Sequence, residues 1–156
     1  MIRTTIVAIV GVAGCLLIQT GIRGADRTPD VTVIPAASVT AAFERGQPML
    51  ETDAYKIHAS RREAPGVAEI HTRDTDILYV LQGTATIVTG GRAIEVKPTA
   101  TDEQRGTRID GGEVRQLRQG DVMVIPNGVP HQFTQTTNPF LYYVVKATAP
   151  VAGGSR

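Results

Sequence analysis

The sequence predicts an all-β barrel preceded by one short helix. Val, Ile, Thr and Gly dominate its second half, and short apolar or alternating runs recur there between turn residues. These runs have the length and period of strands rather than of helices. Without its first 24 residues, the 156-residue chain is the size of one small domain.

Residues 1–24 resemble a secretory signal peptide and are excluded from the fold. Arg3 supplies a positive start, and an uncharged apolar run follows from Ile6 to Ile18. This run is shorter than the roughly 20 residues that a transmembrane helix needs. We therefore predict cleavage near Ala25, export to the periplasm or the medium, and no membrane span. In a second interpretation, Val12-Ala13-Gly14-Cys15 resembles the bacterial lipobox, and the cysteine anchors an exported lipoprotein.

Residues 25–49 are predicted to form a tether and a short helix. The polar, proline-containing stretch from Ala25 to Pro35 should end in a short strand over 31–34. Ser38 is a suitable N-cap for a two-turn helix from Val39 to Arg45, and Gly46 is suited to end it.

Residues 50–147 are predicted to form the barrel, and the small-residue tail over 148–156 is predicted to be disordered. The expected strands cover 54–60, 67–72, 76–82, 84–89, 93–97, 122–125, 131–135 and 140–147. Gly90-Gly91 should turn a hairpin. The charged stretch over 98–118 lacks a sustained period and is predicted to be an insertion that loops over one end of the barrel.

The most informative motif covers residues 120–131. Gly120-Asp121 forms a turn, an apolar strand follows, and Pro126 ends that strand before the turn residues Asn127-Gly128. His131 then starts the returning strand. This block resembles the second motif of the cupin superfamily, in which the histidine binds a metal. The resemblance, which extends over about 50–147, implies a double-stranded β-helix, or jelly-roll barrel, like that of small exported bacterial cupins.

The first cupin motif is present in an altered form between residues 66 and 83. The family pattern has two histidines, then an acid and a glycine, and we align His71, Asp76 and Gly83 with its last three positions. Glu69 then replaces the first histidine. The competing alignment places Arg73 at a ligand position, although a guanidinium has no lone pair to donate.

The resemblance therefore implies a divalent metal ion bound by His71, Asp76 and His131, with Glu69 as a further ligand. Glu69 and His71 share one face of their strand. Two histidines with one carboxylate suit iron(II), and Mn, Zn and Ni also accept such ligands. Other roles stay open: a solvated carboxylate for Glu69, a turn cap for Asp76, and metal-free barrel positions for both histidines. His58 either supplies the missing nitrogen or is an exposed strand residue.

The resemblance names no reaction. One hypothesis is a mononuclear metalloenzyme of dioxygenase, isomerase or lyase type that acts on a small oxygen-rich substrate, with Arg73 and Tyr79 as substrate contacts. The alternative is a non-catalytic module that binds a small ligand. The formal charge is +1, and no basic stripe exists, so nucleic acid is not an expected partner.

The last predicted strand bears on oligomeric state. Alternation sends Phe140, Tyr142 and Val144 to one face and an apolar set beginning with Leu141 to the other. One set can fill the barrel, which leaves the other on its exterior. A homodimer would cover that stripe. The alternative cover is intrachain, by the segment over 31–34 or by the short helix.

Overall fold

The computed structural model describes residues 30–150 of the chain. These residues form one helix and thirteen short strands, an almost entirely β structure, as predicted. The elements are α1 (Ala36–Arg45), β1 (Pro48–Glu51), β2 (Tyr55–Arg62), β3 (Ala68–His71), β4 (Asp74–Gln82), β5 (Thr84–Thr89), β6 (Arg92–Ile94), β7 (Lys97–Ala100), β8 (Glu103–Gly106), β9 (Arg108–Asp110), β10 (Glu113–Arg118), β11 (Val122–Ile125), β12 (His131–Thr136) and β13 (Phe140–Thr148).

Two antiparallel sheets enclose the core. One has the order β1-β2-β13-β4-β11 and the other β10-β5-β12-β3-β8-β7, while β6 and β9 form a small third sheet. Aromatic rings from both main sheets pack against one another in the core. The ring centroid of Phe133 in β12 lies 5.7 Å from that of Phe140 and 5.5 Å from that of Tyr142, both in β13. Of the two alternating sets of β13, the inward one is Phe140, Tyr142 and Val144, which are all buried. The core therefore packs between the two main sheets.

The helix begins earlier than predicted. Pro35, rather than Ser38, is the N-cap, and its carbonyl oxygen accepts hydrogen bonds from the backbone N–H groups of Ser38 and Val39. Ser38 is therefore inside the first turn, where the fixed φ of the preceding proline favours helix entry. Gly46 ends the helix in the left-handed conformation, as predicted. The predicted strand over 31–34 is wrong: no strand forms, and Val33 remains 81% exposed because no strand pairs with it.

The prediction of a loop insertion over 98–118 is also wrong. This stretch contributes to β7 and forms β8, β9 and β10, whose side chains are mostly polar because one face is solvated. Gly90-Gly91 likewise does not join a two-stranded hairpin. Thr89 pairs with Glu113 and Arg92 with Asp110, so Gly90-Gly91 lies opposite Gly111-Gly112 where both strands leave the main sheet. A Cβ on Gly91 would lie 2.7 Å from the Asp110 carbonyl oxygen, so the bend requires glycine there.

The two ends of the barrel lie slightly outside the predicted limits. Strand β1 begins at Pro48, and β13 continues to Thr148. Ala149 is tied to Arg73 by a backbone hydrogen bond of 2.9 Å and by the Arg73 guanidinium, which donates to its carbonyl oxygen. The predicted signal peptide, Cys15 and the end of the predicted tail lie outside the described residues. Among residues 30–150, no helix is long and apolar enough to cross a membrane.

Candidate metal centre

Two neighbouring strands of the six-stranded sheet bring three candidate ligands together. Glu69 and His71 lie two residues apart on β3, and His131 is the first residue of β12. Glu69 and His131 are paired across these strands. One ligand atom from each of the three side chains lies within 4.8 Å of the other two. Both histidines are buried and Glu69 is half-buried, so the cluster lies inside the barrel.

The turn before β12 is hydrogen-bonded to the residues that follow β3. The side-chain amide of Asn127 donates a hydrogen bond of 3.2 Å to the Thr72 carbonyl oxygen, and its backbone N–H donates to Thr75 Oγ1. Because Thr72 follows His71 directly, this turn fixes the two histidine-bearing strands relative to each other. The imidazole centroids of His71 and His131 lie 5.2 Å apart.

The hydrogen bonding of His131 selects the tautomer that a metal ligand needs. Its Nδ1 lies 3.2 Å from the Val129 carbonyl oxygen, which can only accept, so Nδ1 carries the proton. The Nε2 lone pair is then available, and this atom lies 3.9 Å from Glu69 Oε2. Burial lowers the pKa of His131, so the ring is neutral at neutral pH.

Asp76 lies next to His71 but outside the cluster of three. Its Oδ2 is 3.4 Å from His71 Nε2, and its two oxygens accept hydrogen bonds of 2.8 and 3.0 Å from Lys146 Nζ. Burial acts to raise the pKa of Asp76, but His71 and Lys146 outweigh it and hold that pKa below its usual value. Asp76 is therefore an ionised carboxylate whose charge is balanced by Lys146.

The cluster lines a cavity of about 340 Å³ between the two sheets. Arg62 of β2 enters this cavity and donates from Nε to the hydroxyl of Tyr142 at 3.1 Å. The Arg62 guanidinium carbon lies 4.4 Å from the Phe133 ring centroid, and Nη2 is 3.5 Å from Glu69 Oε1. The volume is at the small end of the range for small-molecule sites, which runs from about 300 to 1,000 Å³.

Three other sequence-predicted residues have different surroundings. His58 lines the same cavity, but its Nε2 is 2.9 Å from Glu51 Oε1 and it is not part of the cluster. Arg73 contacts Asp102 and Ala149 outside the cavity, and Tyr79 points outward with 46% exposure. Neither Arg73 nor Tyr79, the substrate contacts expected from the sequence, lines this cavity.

Sequence reasoning missed Arg62 and Lys146 as lumen residues. Lys146 lies at the same strand parity as Tyr142 and Val144, so alternation could have placed it inside. Arg62 had no such signal, because the predicted strand ended at residue 60. Strand β2 also departs from the rule that apolar residues face inward, because His58, Ser60 and Arg62 line the cavity while Ala59 is buried on the other face.

The donor set fits a resident divalent metal ion. Two imidazoles and one carboxylate are the facial ligand set of iron(II), and they leave other coordination positions open to a substrate. Manganese, zinc and nickel also accept mixed nitrogen and oxygen donors. The chemistry of the donors is therefore compatible with the ions expected from the sequence, and it does not select among them.

The family model described as Cupin matches residues 24–153, so the chain belongs to the cupin family. Its jelly-roll architecture agrees with that assignment. No curated protein matches the chain.

Three solved structures are similar to this chain in fold at low sequence identity. A protein from Bacillus halodurans is 17% identical with a TM-score of 0.55, and the match covers 83% of this chain and 90% of that one. An uncharacterised conserved protein with a double-stranded beta-helix domain from Klebsiella pneumoniae is 19% identical with a TM-score of 0.51, over 80% and 95% of the two chains. A protein from Neisseria meningitidis is 15% identical with a TM-score of 0.51, over 75% and 100%. At these identities the likeness shows the fold alone.

Proposed function

We propose that this cupin is a mononuclear metalloprotein that binds a small oxygen-rich molecule beside its metal ion and acts on it. The observation that carries the proposal is the convergence of Glu69, His71 and His131 within 4.8 Å, at the wall of a cavity of about 340 Å³. These three residues would hold the ion. When bound, a divalent ion supplies Lewis-acid polarisation of a substrate oxygen or, for iron, oxygen activation.

Glu69 is the better candidate than Asp76 for the carboxylate ligand. Lys146 donates to both oxygens of Asp76, so ligation by Asp76 would cost these two charge-assisted hydrogen bonds. Glu69 has only a 3.5 Å contact with Arg62 and faces His131 directly. Asp76 would instead orient His71: its Oδ2 lies 3.4 Å from His71 Nε2, so Nε2–H would donate to Asp76 and Nδ1 would bind the ion.

Neighbouring residues orient the candidate ligands and form the wall of the cavity. Val129 holds His131 in one tautomer, and Asp76 with Lys146 supports His71. Phe133 and Leu78 supply apolar wall, which limits water around the cluster and strengthens its electrostatic interactions. A dioxygenase, isomerase or lyase reaction is the type that such a site would support.

Titration of the purified protein with Mn²⁺ tests the ligand assignment. We expect Glu69→Gln to abolish one-to-one binding. The matched variant pairs Asp76→Asn with Lys146→Met, so that no buried charge is left alone, and should keep the stoichiometry with affinity about 10- to 100-fold weaker. Thermal unfolding verifies that each variant is folded. Unchanged Mn²⁺ affinity in Glu69→Gln would overturn the assignment of Glu69.

A non-catalytic ligand-binding module is the second candidate. One observation favours it: Lys146 donates hydrogen bonds to both oxygens of Asp76. This buried carboxylate is therefore unsuited to act as a general base that abstracts a proton from a substrate. Incubation of the metal-loaded protein with small oxygenated compounds separates the candidates. Consumption of a compound supports the enzyme, whereas saturable binding without consumption supports the module.

We further propose that the protein is exported and dimeric. Export rests on the apolar run from Ile6 to Ile18 after Arg3, with lipidation at Cys15 as the alternative to release. Dimerisation rests on apolar side chains on the outer face of the five-stranded sheet. Val122 and Val124 of β11 are 64% and 57% exposed beside Ile77 and Tyr79.

A further inference from the structure

Arg62 differs from the other cations that line the cavity. Besides Arg62 these are Arg61, Arg105 and Lys146. Among the described residues, each of those three has a carboxylate within 3 Å: Glu63 at 2.8 Å, Glu103 at 2.6 Å and Asp76 at 2.8 Å, respectively. The carboxylate nearest to Arg62 is Glu69, at 3.5 Å. A bound metal ion would share that same carboxylate.

The guanidinium of Arg62 is held in place by uncharged groups, and its ion pair with Glu69 is long at 3.5 Å. Its face lies over Phe133, and its Nε donates to Tyr142. Burial raises the pKa of Tyr142, so this phenol stays uncharged. Gly66 makes room for the group, since a Cβ there would lie 2.7 Å from Nη1 of Arg62. A planar donor fixed in this way loses little entropy when it binds a carboxylate.

The charge of the lining favours an anion. Three carboxylates line the cavity against the four cations, namely Glu69, Asp76 and Glu103, and Glu63 pairs with Arg61 at 2.8 Å. These formal charges, histidines apart, therefore cancel, and a divalent ion would leave an excess of +2. In a partly buried cavity this excess is weakly screened. A neutral ligand would leave it uncompensated.

We infer that the ligand of this site is a small organic carboxylate, which Arg62 binds through its guanidinium beside the metal ion. The inference rests on the proposed metal site and specifies its ligand class. A bidentate pair between guanidinium and carboxylate orients the ligand, so that another of its oxygens can face the cluster. Phe133 and Leu78 would contact the carbon part, and the cavity volume, at the low end for small-molecule sites, suits a small ligand.

Relaxation of probe protons by Mn²⁺ tests this inference without an activity assay. Full-length protein is loaded with substoichiometric Mn²⁺, so that little free metal remains, and bound metal is quantified first. Pyruvate is then compared with pyruvamide, which has a similar shape but no charge. We expect the methyl protons of pyruvate to relax faster in the presence of the loaded protein, and those of pyruvamide to be affected about tenfold less.

Substitutions at two adjacent arginines provide the matched control. Arg62→Gln should retain Mn²⁺ and bind pyruvate about tenfold or more weakly. Arg61 lines the same cavity but pairs with Glu63, so Arg61→Gln should bind both Mn²⁺ and pyruvate normally. Arg62→Lys, which keeps the charge, should bind pyruvate with intermediate strength and serves if Arg62→Gln does not fold. Equal effects on both probes, or normal pyruvate binding by the folded Arg62 variants, would overturn the inference. If the wild type binds no Mn²⁺, the proposed function fails first, and the inference fails with it.

Discussion

The backbone N–H of Gly128 donates a hydrogen bond of 2.8 Å to the carbonyl oxygen of His71. This bond joins the turn of the second cupin motif to the histidine of the first. Together with the Asn127 contacts to Thr72 and Thr75, it sets the separation of the strands that carry His71 and His131. The turn of the second motif thus positions a residue of the first.

Substitution of Gly128 by alanine should damage the metal site as well as the fold. Gly128 has φ 78°, and a Cβ there would meet nothing within 4 Å, so the cost is backbone strain of about 1–2 kcal/mol. Gly120→Ala is the matched control, with φ 91° and the same open space. Both variants should lose similar stability in urea unfolding, but only Gly128→Ala should bind Mn²⁺ more weakly. Equal Mn²⁺ affinity in the two variants would contradict the role of the turn.

Asp74 should make the stability of the protein depend on pH. Burial acts to raise the pKa of its carboxyl, but hydrogen bonds from Lys56 Nζ and Thr148 Oγ1, both 2.7 Å, outweigh this effect and lower that pKa. Because the folded pKa is below the unfolded value of about 3.9, the contribution is present above that value and is lost as pH falls through the folded pKa.

Unfolding by urea at neutral and at acidic pH measures this contribution. At neutral pH, Asp74→Asn should reduce the free energy of unfolding by about 1–2 kcal/mol. Below about pH 4 the wild type should lose more of its stability than this variant does. Asp53→Asn, at an exposed turn position, is the control and should follow the wild type. A constant difference between Asp74→Asn and wild type across this range would refute the assigned pairing.

The fold was more predictable from sequence than the site. Strands 84–89 and 122–125 were predicted with their observed bounds, because each is a short apolar run between turn residues. The strands over 98–118 were not predicted, because they lie at or near sheet edges, where a solvated face carries charged residues and alternation is weak. A strand over 31–34 was expected from its valines, but pairing depends on a neighbouring strand that local sequence does not reveal.

For the site, both histidines and Glu69 were found by motif spacing and strand parity. The engagement of Asp76 by Lys146, which makes Glu69 the better candidate ligand, joins residues 70 positions apart in sequence and has no local signal. Arg62 was missed because β2 directs polar side chains into the barrel. Sequence alternation shows which residues share a face, but it does not show which face a helix such as α1 will cover.

A dimer should form through the outer face of the five-stranded sheet. Helix α1 covers part of that face, where Phe43 packs edge-on against Tyr143 with centroids 4.9 Å apart. Helix α1 leaves Val122 and Val124 of β11 exposed. Light scattering at tens of micromolar should give twice the mature mass, and Val122→Lys with Val124→Lys should give a monomer. A monomeric wild type would favour covering by the chain itself.

Export should be visible at the N-terminus of the mature protein. Mass spectrometry should show a chain that begins near Ala25, or a lipidated Cys15 if the lipobox interpretation is correct. Leu17→Asp interrupts the apolar run and should block export, whereas Leu17→Ile preserves the run and should not. A wild-type chain that retains Met1 in the cytoplasm would contradict both interpretations.

The metal content of the purified protein tests the central claim most directly. Elemental analysis of the wild type should find about one divalent ion per chain, because two imidazoles and a carboxylate form one facial ligand set. The His71→Ala, His131→Ala double variant should lose that ion. His58→Ala, which removes the other histidine of the same cavity, should retain it. Full metal content in the folded double variant, or a wild type that takes up no divalent ion, would contradict the account.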